Sequence, residues 1–378
     1  MNEMIALIYQ TIHPEVVVSK LTSYQDVSFI FKFHSLEPIL YHAYQKGLLE
    51  ITPEEQKQLE KTYQLAIYKT ATQEAEFNNI KESLSLNKIP FLPIKGQWVR
   101  SCYPTPEMRT MADLDILVSK SCLIDVKKIM ISLGYTFVHE GGNHDVYHKK
   151  PFMNVEIHRN MIDESYSLSK YYRNIWERVH HQAYTSECSL SHEDHYLFIV
   201  AHSAKHYGAG GTGVRSVLDV YFYWKKFPDM DENYLAQELV KLNLVTYEQN
   251  IHALSQGWFE GKPMSEEVEL MGEYILGSGV YGTISHSLVS NETLQDETKS
   301  LNLRKWNYLW SRAFPTWHKM IQIFPILKKV PVLLPFCYLI RIVKGTFQGK
   351  VSRQTSQLRH LKQEDIDQKK TIKEKTGR

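Results

Sequence analysis

Residues 113–118, Asp-Leu-Asp-Ile-Leu-Val, constrain this chain more than any other stretch. A short apolar run of this kind reads as a buried strand. Alternation along a strand sets Asp113 and Asp115 on one face, about 7 Å apart along the chain. Carboxylates that close disfavour each other's ionisation unless a cation lies between them. The crowding predicts that neutralising either aspartate leaves stability unchanged or raised. A hard, oxygen-seeking ion such as Mg²⁺ resolves the conflict and usually keeps positions open for phosphate oxygens. The plain alternative is that Asp-x-Asp merely opens an exposed strand.

The residues just upstream favour the cation. Ile89-Pro-Phe-Leu-Pro-Ile94 reads as a second buried strand that stops at Lys95-Gly96. Gln97 to Cys102 has room for a turn or two of helix before Tyr103-Pro104 ends it. A strand, a glycine and a helix start offer a triphosphate a close backbone approach at Gly96 and free N–H groups.

The order Lys95-Gly96, short helix, Tyr103-Pro104, Arg109, then Asp113-x-Asp115 and apolar residues resembles the DNA polymerase beta-like nucleotidyltransferases. More narrowly it is similar to the bacterial uncharacterised nucleotidyltransferase family, and more distantly to the nucleotidyltransferase toxins of abortive-infection systems. The resemblance implies that Asp113 and Asp115 hold metal, and that Lys95, Gly96 and Arg109 face the nucleotide. Lys95-Gly96 takes the place of the superfamily's Gly-Ser, but Gln97 follows here, so no serine hydroxyl is available at that point. The family sets a third carboxylate on the strand beside Asp-x-Asp. In Met153-Asn-Val-Glu-Ile-His158, alternation turns Val155 and Ile157 inward and sets Glu156 and His158 on the other face. Glu156 then completes the metal set and serves as general base, and His158 orients it or touches the acceptor. A solvated strand edge is the plain reading of both. The resemblance extends to His202-x-x-Lys205-His206, Arg215 and Asp219, with Lys205 toward the phosphates and His202, Arg215 and Asp219 orienting or meeting the acceptor. Ser203 after the first histidine excludes a zinc-protease helix, which needs glutamate there.

The rest of the chain reads as scaffold. Residues 1–86 are helical, with Ser35 capping one helix and Thr52-Pro-Glu-Glu55 forming a capping box for another. Ser121 starts a helix that Gly134 stops, and strands follow at 135–140, 144–149 and 152–158. Helices follow from Ser191, from Asp231, from a second capping box at Thr246-Tyr-Glu-Gln249, and over 265–277; residues 278–300 read as a loop. Four scattered cysteines without a C-x-x-C pair argue against zinc and a disulfide scaffold, and fit a reducing cytoplasm. The first ten residues lack a signal-peptide pattern. Charge is uneven: from Lys319 onward fourteen Lys/Arg face four Asp/Glu, a net +10, so the overall +2 leaves −8 for residues 1–318. Residues 323–350 combine apolar residues with Lys328, Lys329, Arg341, Lys344 and Lys350, a pattern that suits peripheral contact with the inner face of a membrane or packing as a helical cap. Their eleven-residue apolar run is too short to span a bilayer, which needs ~20.

These readings describe an α+β chain: an N-terminal helical region (1–86), a small mixed-sheet nucleotidyltransferase core (87–160), a helical region completing the cleft (161–300), an aromatic and apolar helical segment (301–350), and a charged, disordered tail (351–378). The resemblance implies Mg²⁺-dependent transfer of a nucleotidyl group from an NTP such as ATP to an acceptor. Because such relatives sit among bacterial polysaccharide-synthesis proteins, the acceptor is a sugar, a lipid-linked sugar or a protein. A toxin-type enzyme acting on tRNA or protein and a non-catalytic nucleotide-binding scaffold stay open beside it.

Overall fold

The computed structural model describes residues 2–13, 15, 21–279, 298–347 and 361–378, together with residues 288 and 358. Among the described residues four helices open the chain, α1 (Glu3–Ile12), α2 (Tyr24–Phe33), α3 (Glu37–Gln45) and α4 (Pro53–Leu86), with a short parallel pairing of β1 (Thr22–Ser23) and β2 (Leu49–Glu50) among them. Helix α4 starts at the expected box: the Thr52 side chain accepts from Glu55 N, Glu55 accepts in return from Thr52 N at 3.0 Å, and Pro53 takes the first position. Ser35 does not cap α3. It sits at φ +55°, and Leu36 fills the cap position without a side-chain bond.

Strand β3 (Phe91–Ile94) and β4 (Leu114–Val118) are antiparallel neighbours, with the short α5 (Gly96–Val99) between them in sequence. After helix α6 (Leu123–Ser132) come β5 (Thr136–Glu140), β6 (His144–Lys149) and β7 (Met153–His158). The sheet order is β3-β4-β7-β6-β5, and only β4 and β7 run parallel. Phe77, Ile80 and Leu84 of α4 and Val126, Ile129 and Met130 of α6 pack with Leu114, Ile116, Val118, Val155 and Ile157. One sheet face is therefore sealed under helices. Period-two alternation leaves Asp115, Glu156 and His158 on the other.

Residues 161–191 are less helical than expected. They form two short 3-10 turns, Ser167–Lys170 and Ile175–Glu177, and a small pairing of β8 (His180–His181) with β9 (Cys188–Ser189). Turn chemistry wins there, as at Asp163, whose carboxylate accepts from Ser165 N at 2.9 Å. Helices α7 (His192–Ala209), α8 (Val214–Lys226), α9 (Glu232–Leu242), α10 (Val245–Glu260) and α11 (Glu266–Leu276) follow. Asp231 caps α9 through Tyr234 N. The box expected at Thr246 does not form, because α10 already begins at Val245 behind Leu244.

The chain divides into two compact units, residues 1–204 with 214–269, and residues 205–213 with 270–378. The second contains helices Leu301–Ala313, Trp317–Ile323, Leu334–Phe347 and Gln363–Lys375. The last of these lies in the stretch whose charge predicts disorder. Its few apolar residues account for the difference, since Ile366 is buried with Tyr308 and Leu361, and Lys373 donates to the Gly208 carbonyl at 2.7 Å. Most of the loop expected at 278–300, and residues 348–357 and 359–360, lie outside the described residues. Among those described, no helix is long and apolar enough to cross a membrane.

Candidate functional site

The parallel pairing of β4 with β7 sets Asp115 opposite Glu156. Asp113 stands just before β4, and ligand oxygens of Asp113, Asp115 and Glu156 lie within 4.8 Å of one another. Lys95 and His158 both reach Asp115 Oδ1, Lys95 Nζ at 2.6 Å and His158 Nε2 at 2.7 Å. Lys95 arrives by an unusual route. Its backbone sits at φ +56°, ψ −122°, a region that costs a non-glycine residue roughly 1–3 kcal/mol, between the end of β3 and the start of α5.

His158 acts here as a hydrogen-bond donor. The Asn143 amide nitrogen donates to Asn160 O at 2.9 Å and faces His158 Nδ1 at 3.4 Å, so Nδ1 accepts and Nε2 carries the proton toward Asp115. The β5–β6 turn, Gly141-Gly142-Asn143, thus fixes the tautomer of a histidine on β7. His144, paired with His158 across β6 and β7, brings its Nε2 to 3.6 Å from Glu156. His144, Glu156 and His158 also form a ligand-sized cluster, but the proton on His158 Nε2 points that nitrogen at a carboxylate.

The two aspartates differ. Burial and the neighbouring Asp115 charge push Asp113 up to about 6, with Lys95 opposing. Burial works against Asp115 too, but Lys95 and His158 outweigh it and hold that carboxyl well below the usual range. For Glu156, burial is outweighed by the His158 hydrogen bond, which keeps it below its ordinary value. This oxygen-rich set fits a hard divalent cation: Asp115 keeps Oδ2 for it, and an ion would relieve the strain on Asp113.

The other expected site residues fall into place unevenly. The resemblance sets Lys95 on nucleotide phosphate, whereas here it pairs with Asp115. It sets Arg109 on the nucleotide, but both guanidinium contacts go to Asp219, Nε to Oδ1 and Nη2 to Oδ2, each at 2.8 Å, and Tyr103 donates to the same carboxylate at 2.6 Å. Asp219 is thus an orienting group for Arg109. Gly96 is expected to leave room for phosphate. A Cβ there would instead meet Met111 Sδ at 2.5 Å and Arg109 Nη1 at 2.7 Å, so the missing side chain admits the protein's own packing. Arg215 donates to Thr110 O at 2.8 Å, three residues before Asp113. His202 lies beside Phe198 in the first unit, while Lys205 belongs to the second.

Three groups had no local signal. Lys69 of α4 is held below its usual range by burial and by Arg100, while Asp113 opposes, which sets it in the electrostatic neighbourhood of the carboxylates. Gln73, one turn further along α4, donates to Met111 O at 3.2 Å and accepts from Arg100. Asn143 is the third. Each belongs to an element remote in sequence from Asp113, and only its helix or turn chemistry is legible locally.

On one face of a mixed sheet, Asp113, Asp115 and Glu156 thus form an acidic cluster that could bind a metal ion, with Lys95 paired to Asp115. Residues 25–260 match the family described as uncharacterised nucleotidyltransferase, and the chain belongs to it. No curated protein and no solved structure matches the chain.

Proposed function

We propose that the protein transfers a nucleotidyl group from an NTP to an acceptor hydroxyl and releases pyrophosphate. The observation that supports this most is the carboxylate cluster of Asp113, Asp115 and Glu156 within 4.8 Å, inside the span matched by the family. In this reading Asp113, Asp115 and Glu156 hold Mg²⁺, which when bound neutralises charge on the α-phosphate. Lys95 and His158 fix Asp115. Lys69 and Arg215, near Asp113, attract the triphosphate. Glu156, kept ionised by His158, takes the proton from the acceptor hydroxyl as that oxygen bonds to the α-phosphorus. The bond from the α-phosphorus to its bridging oxygen breaks, and pyrophosphate leaves with the electron pair.

The −8 charge of residues 1–318 counts against tRNA and leaves a sugar, a lipid-linked sugar or a protein as the acceptor, with bacterial polysaccharide synthesis as the setting that the family resemblance suggests. The non-catalytic scaffold is the second reading, favoured by the Lys95 Nζ that already neutralises Asp115. Incubation with each α-labelled NTP, a host lysate and Mg²⁺ separates them. Label should enter an acceptor, stop with chelator, and stop in Asp113→Asn and Asp115→Asn. Nucleotide binding without label transfer by the wild-type protein would leave the scaffold.

A further inference from the structure

The second unit turns apolar side chains outward. On helix Leu301–Ala313, Trp306 and Trp310 are 61% and 57% exposed, and Phe314 just beyond it is 40% exposed. Their spacing of four makes one stripe, with ring centroids 6.5 and 4.6 Å apart. On helix Leu334–Phe347, Phe336, Leu339, Ile340, Ile342 and Val343 are exposed, all but Ile342 along one helical face, while Cys337 points inward with Met320 and Leu327. Ile326, Val330 and Val332 extend the apolar exposure through the connecting turns. The two helices are tied together. Tyr338 OH donates to Pro315 O at 2.7 Å, and Arg341 donates to the Arg312 carbonyl. Contiguous exposed apolar surface on this scale marks a docking face.

Charge indicates what covers it. Residues 298–363 contain no Asp or Glu, and residues 301–347 carry eight Lys or Arg. Lys328 and Lys329 are exposed between the outward-facing Ile326 and Val330. A second copy of the face would set cation against cation. An anionic lipid surface accepts both features, with indole rings at headgroup level, aliphatic side chains beneath them and basic groups on lipid phosphates. Pro325, Pro331 and Pro335 divide the stretch into short pieces that suit lying in an interface.

We infer that residues 301–343 form a surface that seats on an anionic bilayer, with Trp306 and Trp310 at headgroup level, Phe336 and Leu339 beneath them, and Lys328 and Lys329 against lipid phosphates. This extends the segment read from sequence alone toward the amino terminus, and it is independent of the catalytic reading.

Flotation of the full chain with phosphatidylglycerol–phosphatidylcholine vesicles, against phosphatidylcholine alone, is the test. The chain should float with the anionic vesicles and shift its tryptophan emission to the blue. Binding should fall steeply as salt rises from 0.1 to 1 M, where the screening length drops from about 10 to about 3 Å. Lys328→Glu with Lys329→Glu should weaken it tenfold or more, since each basic group near such a surface contributes roughly a factor of five. Trp310→Ser with Phe336→Ser, at exposed positions that leave the circular dichroism unchanged, should weaken it comparably. Wild-type protein that stays at the bottom of the gradient would overturn the inference. So would equal binding to neutral vesicles that ignores the charge reversals, or a dimer that Trp310→Ser with Phe336→Ser dissolves, since a second copy would then be what covers the face.

Discussion

Asp113 and Asp115 read as equivalent in sequence, and their surroundings separate them. A carboxyl whose folded value is raised costs stability once it must ionise. Asp113 therefore weakens the metal-free protein as pH climbs from the unfolded value of about 4 to its folded value of about 6. Asp113→Asn removes that cost. In chelator it should stabilise the protein by about 3 kcal/mol above pH 6, with the gain fading toward pH 4. Asp115 works the other way. Its folded value is depressed, so it contributes stability throughout the neutral range, and Asp115→Asn strands Lys95, whose side chain is only 20% exposed. Breaking a buried pair by removing one partner costs roughly 3–5 kcal/mol. The symmetric expectation from crowding alone thus gives way to opposite signs. Thermal melts of both variants at pH 7 and pH 4.5, with chelator present, decide it, and equal shifts would remove the Lys95–Asp115 pair as the cause.

At the scale of elements, the carboxylate strands were legible because they obey simple rules. The run at 114–118 is continuously buried and the run at 153–158 largely alternates, the Thr52 box caps α4, and Gly134 at φ +84° follows α6. What sequence hid was partnership over distance. Nothing near Arg109 points to Asp219, and nothing near His158 points to Asn143. The Thr246 box matched its pattern and still failed, since Leu244 is buried and Val245 half-buried, and their packing carries the helix start one residue earlier. Gly96, at the start of α5, shows the same division. Gly96→Ala should cost about 1–3 kcal/mol by overpacking, and Met111→Ala in the same chain should recover part of it, because Met111 Sδ is the nearest atom. Denaturant titration of the single and double variants checks this, and no recovery would mean that the backbone at residue 96 is what objects. Helix α7 carries a second test in His195, 3% exposed, with an unpartnered Nε2, whose burial pushes it down to about 3. The unfolded chain takes up this proton below about 6.5 and the folded one does not, so stability drains as pH falls. Between pH 6.5 and pH 5 this one group accounts for about 2 kcal/mol, and His195→Gln should flatten the acid-side slope by close to one proton. An unchanged slope would assign the acid sensitivity elsewhere.

For the molecule as a whole, the decisive contacts gather at α8. Asp219 receives Arg109 and Tyr103 across 110 and 116 residues, Arg215 holds the Thr110 carbonyl, and the Val214 N–H reaches His34 Nδ1 at 3.3 Å. Helix α8 therefore ties the N-terminal helices, the segment leading into Asp113 and the later helices into the first compact unit, and the family match at 25–260 contains every one of these residues. Arg109 is buried, which works against its charge, yet Asp219 more than restores it. Asp219→Asn leaves that guanidinium buried without its counter-charge, and the loss should be roughly 3–5 kcal/mol. Tyr103→Phe removes one hydrogen bond and should cost about 1.5–3 kcal/mol, because its acceptor is charged. A clamp that only holds the fold would stop there. This one ends four residues before Asp113, so Asp219→Asn should also weaken Mn²⁺ binding in protein that is still folded, measured by electron paramagnetic resonance at a temperature well below its melt. Tyr103→Phe should leave Mn²⁺ affinity near the wild-type value. If Asp219→Asn stays within about 1 kcal/mol of wild type, the Arg109–Asp219 pair is a surface-grade contact after all. If stability falls but Mn²⁺ affinity holds, the clamp supports the fold without setting the carboxylates.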